Sequence, residues 1–178
     1  MTDADRWRLF FALWPQRALL DPLQALQHRL AADLALRWVP ASNWHVTLAF
    51  LGPVMSEQVS DLAAAADRLS VRRFALTLDR LEWWPAGRAL CLTARHEPEE
   101  LHRLVAGLKA AGAPILRRPD VRPFRAHLTL ALGVREDPGP LCLSHPLVLH
   151  AEAFHLVRSC PAPFGSVYTR IGDWPLNG

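Results

Sequence analysis

Residues 45–52 read HVTLAFLG and residues 127–133 read HLTLALG. Eight His and six Thr spread over 178 positions would meet as H-x-T only about 0.3 times by chance, so two copies that share the following Leu-Ala are a repeated device. Side chains alternate along an extended strand, so His45 and Thr47 share one face while Val46, Leu48 and Phe50 take the other. In the second copy His127 and Thr129 share a face, with Leu128, Leu130 and Leu132 opposite and Arg125 on the polar side, two residues before His127. Each strand thus offers an oily face to a core and an imidazole plus a hydroxyl to a cleft.

Around the first motif, RWRLFFALWP reads as a buried strand closed by Pro15. A helix follows, with Asp21 as its cap, Pro22 in the first helical position, and Leu23, Leu26, Leu30 and Leu34 at helical spacing. Gly52-Pro53 ends the motif strand, and Ser56 caps a second helix that buries Val59, Leu62, Ala66 and Leu69. Strands Phe74–Leu81 and Arg88–Thr93 flank WWPAGR, a turn by its Pro and Gly. Glu99 and Glu100 open a third helix that ends near Gly112. Beyond the second motif and the DPGP break, LVLHAEAFHLVRS and SVYTRIGDW read as two more strands. This order predicts an α+β fold built from a duplicated, pseudo-twofold bilobal unit. Two antiparallel sheets would face a central cleft with helices on the outer faces, and residues 1–178 would form a single domain of two intimately packed lobes.

Composition narrows the classes of function. With 51% hydrophobic and 21% charged residues the chain is ordinary globular protein. No apolar run reaches the roughly 20 residues needed to cross a bilayer. MTDADRWRLF is charged where a secretory signal would be apolar, and Cys91, Cys142 and Cys160 form no C-x-x-C pair, so a cytoplasmic location is expected. Of 20 basic residues only Lys109 is lysine. Guanidinium forks match phosphate oxygens, although an Arg-rich composition also reflects general bias.

If the two polar faces meet across the cleft, they enclose two imidazoles and two hydroxyls. Histidines titrating near neutrality can divide the work of general base and general acid. The hydroxyls of Thr47 and Thr129 can donate to the nonbridging oxygens of a phosphodiester, with Arg125 the nearest candidate cation. No cofactor or metal is required. A zinc set of His45, His127 and His155 is the alternative, without any short-range ligand pair to support it. His28, His96, His102, His145, His150 and His155 read as structural or solvated. Trp14, Trp38 and Trp44 lie near the cleft-forming segments, where they could stack on a base or pack in the core.

RLFFALWP, WHVTLAFLG, LDRLEWWPAGRALCL, RPFRAHLTLAL and VRSCPAPFGSVYTRIGDWPL together resemble the 2H phosphoesterase superfamily, and within it the RNA 2',3'-cyclic phosphodiesterases first described as 2'-5' RNA ligases. The resemblance implies a bilobal fold with a central cleft and metal-independent hydrolysis of a 2',3'-cyclic phosphate at an RNA end to a 2'-phosphomonoester. It implies His45 as proton donor, His127 as proton acceptor, and Thr47 and Thr129 on the phosphate. The partners implied are single-stranded RNA or tRNA-fragment ends, met by a monomer without membrane or metal. Related activities on 2'-5' linkages or small cyclic nucleotides use the same four positions, whereas the rival reading, a non-catalytic RNA-binding module, has no need of two histidines in register. The chain departs from the family at Ala126, where Pro is usual, and at Leu132, where Arg is frequent; Arg125 or Arg122 is the expected substitute.

Overall fold

In the computed structural model, which describes residues 5–116, 122–139, 141–163 and 165–178, the apolar runs become strands and the Leu-periodic stretches become helices. The order is β1 (Arg6–Leu13), α1 (Arg17–Asp33), β2 (Arg37–Trp38), β3 (Val46–Met55), α2 (Val59–Ala66), β4 (Phe74–Leu78), β5 (Arg80–Trp84), β6 (Ala89–Thr93), α3 (Glu99–Gly112), β7 (His127–Leu132), β8 (Leu147–Ala151), β9 (Ala153–Ala162) and β10 (Gly165–Pro175). Residues 1–4, whose charge entered the expected location, lie outside the described residues, as do Pro140 of the DPGP break and Phe164 near the C-terminus. Among the described residues no helix is long and apolar enough to cross a membrane.

One antiparallel sheet runs β10-β9-β1-β3-β7-β6-β5, with β2 added to β7, and β4 pairs with β8 in a second sheet. The large sheet is two wings. The first motif's strand, β3, is flanked by β1, β9 and β10; the second motif's strand, β7, is flanked by β6 and β5. The wings meet at a single residue pair, Val46 opposite Leu128. Each wing borrows strands from the other half of the chain, so no single cut separates them. α3 packs on β3, α2 on α3 and α1 on β8, enclosing a core that includes Leu9, Phe11, Trp44, Val46, Leu104 and Leu128. A Cβ on Gly112 would come within 2.8 Å of a terminal methyl of Leu51, so a larger residue there would oblige that side chain to shift where α3 meets β3.

Several boundaries differ from the sequence reading. α1 starts one turn before Asp21, because the Gln16 amide donates to Val148 O at 3.0 Å and accepts from His150 N at 3.2 Å, which clips the helix start to β8. Pro22 therefore sits inside the helix on its exposed side, and Asp21 is no cap. The stretch from Phe74 to Leu81 breaks at Asp79, whose carboxylate accepts from Arg95 N at 2.8 Å, so β4 enters the small sheet and β5 the large one. LVLHAEAFHLVRS breaks in the same way at Glu152, into β8 and β9. β3 passes through Gly52-Pro53 to Met55, with Gly52 at φ +71° where the β1 register shifts.

A β-bulge follows each motif threonine. Against β1 the register slips between Phe11 and Ala12, so that Ala49 and Thr47 are consecutive partners and Leu48 is the extra residue. Against β6 it slips between Leu90 and Cys91, so that Ala131 and Thr129 are consecutive partners and Leu130 is extra. An extra residue reverses the alternation beyond it. Phe50 and Leu132, expected in the core, are turned out instead, at 37% and 38% exposure.

The bulge gives a direct comparison. Leu128→Ala, which empties a fully buried position, should cost about 2–5 kcal/mol in urea unfolding. Leu132→Ser should cost under about 1 kcal/mol. Equal losses would mean that Leu132 belongs to the core and that the bulge is absent in solution.

Candidate active site

The Val46–Leu128 pair arranges the motif residues. In an antiparallel ladder centred on this pair, His45 stands across from Thr129 and Thr47 across from His127. Val46 and Leu128 are fully buried, whereas the four motif side chains are only partly so, as two-residue alternation requires. Both cross-strand combinations open into cavities. His45 and Thr129 line a cavity of about 700 Å³ with Trp38, Val39, Val167 and Tyr168. Thr47 and His127 line one of about 420 Å³ with Trp84, Lys109, Arg122 and Arg125.

The two rings are held alike. His45 Nδ1 lies 2.7 Å from Asn43 O, and His127 Nδ1 lies 2.8 Å from Arg125 O. A carbonyl only accepts, so Nδ1 carries hydrogen in both rings, and Nε2 is the atom free to take or give a proton. His45 Nε2 is 3.0 Å from Thr47 Oγ1, whose hydroxyl donates to the neutral ring. Asn43 is itself tied down, its side-chain amide donating to Ser166 O at 2.8 Å. Aromatic plates fix the ring planes. Trp14 stacks on His45 at 5.5 Å with Phe10 at 5.0 Å and Tyr168 edge-on at 5.2 Å, and Trp84 meets His127 at 4.5 Å.

Burial lowers the pKa of both histidines below the ordinary value, opposed by the backbone carbonyl that each Nδ1 faces. The remaining influences differ. His45 feels the charge of His127, whereas His127 feels Arg125 and Arg122, which disfavour its protonation, and Glu97, which favours it. Next to Thr129 lies Cys91, with Sγ 3.8 Å from Oγ1; burial pushes this thiol up to about 11, so it stays protonated and does not compete as a nucleophile.

Arg125 lies on the polar side of the second motif, but its guanidinium is engaged. It binds Glu82 at 2.6 and 2.7 Å and lies 5.4 Å over the Trp84 ring, and Arg80 also reaches Glu82 at 3.3 Å. Burial works against ionising Glu82, but the Trp84 indole donor and the Arg125 and Arg80 charges prevail and hold its pKa low. His155 is not part of a three-histidine set: it hydrogen-bonds Asp173, and Trp14 stands between it and His45. Among the described residues no three His, Cys, Asp or Glu side chains gather as a metal site. Trp44 is fully buried in the core, whereas Trp38 lines the larger cavity. Phe10, Tyr168, Trp84 and Arg37 are cleft residues that the sequence reading did not single out. For Trp84 a signal existed in its parity with Arg80 and Glu82 on one strand.

The profile of a family described as LigT like phosphoesterase matches residues 13–91. The chain is 32% identical over 185 residues to the RNA 2',3'-cyclic phosphodiesterase of Thermus thermophilus, covering 96% of this chain and 91% of that protein. It is 34% identical over 172 residues to the RNA 2',3'-cyclic phosphodiesterase of Escherichia coli, covering 95% and 96%. The structure superposes on crystalline E. coli LigT complexed with 3'-AMP with a TM-score of 0.89 and 30% identity, covering 97% of this chain and 99% of that one.

Because both rings are held low, the unfolded chain takes up protons that the folded chain refuses. Their contribution to stability is complete above a pH of about 6.5 and declines as pH falls through that value towards the folded pKa values. Nuclear magnetic resonance titration of the two Cε1–H signals should place both midpoints below 6.5. In His127→Ala the His45 midpoint should rise, because a charge that opposed its protonation is gone. An unmoved midpoint would show that the rings do not sense each other.

Proposed function

The chain belongs to the LigT-like phosphoesterases, and on that ground we propose that it hydrolyses the 2',3'-cyclic phosphate at the end of an RNA to a 2'-phosphomonoester. One observation carries the reading: the Val46–Leu128 register brings two imidazole Nε2 atoms and two threonine hydroxyls to the junction of the wings. In this mechanism water attacks phosphorus opposite the 3' oxygen, His127 Nε2 takes the water proton, and the new P–O bond forms as the bond to the 3' oxygen breaks. His45 Nε2–H gives its proton to that departing oxygen. Thr47 and Thr129 donate to the nonbridging oxygens, where hydrogen bonds to developing charge are worth most.

The surroundings favour this division of labour. Arg125 and Arg122 oppose a proton on His127, which suits a neutral base. Among the described residues His127 is the charge that opposes a proton on His45, so the negative charge of a bound phosphate can hold a proton there. Arg125, committed to Glu82, serves as a fixed positive charge near the phosphate rather than as a free donor fork. Two wings that exchange strands would act as one domain over residues 1–178. Cys91, Cys142 and Cys160, all free thiols, suit a monomer working in the reducing cytoplasm on single-stranded RNA or tRNA-fragment ends.

His45→Ala and His127→Ala should each slow turnover of a cyclic-phosphate-ended oligonucleotide at least about a hundredfold while the fold survives, since one general acid or base is worth roughly 10² to 10⁴. A substrate with sulfur in place of the bridging 3' oxygen carries a leaving group that departs without a proton. On it His45→Ala should recover most of its lost rate and His127→Ala should not. Rescue of His127→Ala instead would reverse the two roles, and near-normal activity of either folded variant would sink the two-histidine mechanism.

A further inference from the structure

The cavity beside His45 and Thr129 is walled mainly by Trp38, Val39, Leu132, Val167 and Tyr168, and among the described residues that line it Arg37 is the one arginine. Its place follows from the second bulge. Once Leu130 is bulged out, Leu132 turns to the cleft face, and Arg37 lies directly across from Leu132 in the β2–β7 ladder. Opposite residues of an antiparallel pair point to the same side, about 5 Å apart. The segment is anchored, because Val39 N donates to Leu130 O at 2.8 Å and Gln27 Nε2 donates to Val39 O at 2.9 Å. Arg37 starts from a fixed backbone.

Its guanidinium is unengaged. Arg125 binds Glu82, Arg103 binds Glu99, and Arg8, Arg158 and Arg170 lie over Phe50, Trp7 and Trp14. Among the described residues Arg37 has no hydrogen bond, ion pair or ring contact, and its side chain is exposed. A five-donor fork left free in an otherwise uncharged wall, beside one imidazole and one hydroxyl of the motifs, is an anion receptor awaiting its anion.

We propose that Arg37 is the substrate-binding cation of this site, pairing its guanidinium with the oxygens of a phosphate on the RNA end while the apolar wall holds the terminal nucleoside. The proposal rests on the hydrolase reading above and adds the residue that supplies binding charge where position 132 is leucine. The phosphate concerned is either the reacting cyclic one or the phosphodiester on the 5' side of the same nucleotide. The chemistry of recognition is the same for both.

Arg37→Ala and Arg37→Lys would be compared with the unaltered enzyme on adenosine 2',3'-cyclic monophosphate, which has a free 5'-hydroxyl, and on a dinucleotide ending in a 2',3'-cyclic phosphate. Arg37→Ala should raise KM at least about tenfold with a smaller change in kcat, and lysine should restore it only partly. A defect on both substrates assigns Arg37 to the reacting phosphate; a defect on the dinucleotide alone assigns it to the 5' phosphodiester. The double variant Arg37→Leu/Leu132→Arg moves the cation one strand across, and recovery there would show that charge at this place, rather than local structure, is what the site needs. Unchanged KM for Arg37→Ala on both substrates would overturn the proposal. Should the unaltered enzyme turn over neither substrate, the hydrolase reading fails, and Arg37 is then judged by inorganic phosphate titrated calorimetrically: weaker binding in Arg37→Ala sustains it and equal binding removes it.

Discussion

A single cross-strand pair, Val46 against Leu128, joins the two wings of the sheet, and the site depends on it. Both side chains are fully buried, so the pair is held by the core and not by the cleft. Because strand alternation has a period of two, fixing this one register fixes the residues on either side of it. A slip by one residue would send the imidazoles into the core and the leucines into the cleft. The chemistry on the polar face is therefore guarded by apolar burial on the other, where deleting a single side chain costs several kcal/mol.

Around that junction the two motifs are alike in backbone and unlike in surroundings. Each ring gives its Nδ1 hydrogen to the carbonyl two residues earlier, and each motif carries a bulge after its threonine. The first ring sits among Trp14, Phe10 and Tyr168, while the second faces Trp84 and a cluster of cations. Equivalent imidazoles in unequal fields are what an acid and a base require, since the task of each is set by which ring keeps its proton.

Much of this could be read from the chain because it is periodic. Two-residue alternation placed His45 with Thr47 and His127 with Thr129, and the helices declared themselves by leucine spacing. What escaped has no period. Leu48 and Leu130 look like ordinary strand residues, yet each is the extra residue of a bulge, so Phe50 and Leu132 were put on the wrong face. The bends at Asp79 and Glu152 divide runs whose β-propensity is unbroken, because tertiary pairing in two different sheets decides them. Arg125 lines the cavity of the second motif, but its partner Glu82 comes from a distant strand, and no local pattern announces an ion pair. Arg37 went unnoticed because β2 is two residues long, too short for any alternation to show.

The exchange of strands between wings bears on how the molecule comes into being. β1 lies between β3 and β9, so residues 8–12 find their second neighbour only when residues 155–159 are available. While the ribosome is still extending the chain, the β1–β3 pair presents an open hydrogen-bonding edge backed by Leu9, Phe11 and Leu13, the kind of edge that recruits foreign strands. Pairings so distant along the chain also slow folding, because a long loop must close before the contact can form. The wing bearing the first histidine is thus the late one to be finished, and a nascent chain can acquire the β5–β6–β7 wing before it acquires a working cleft.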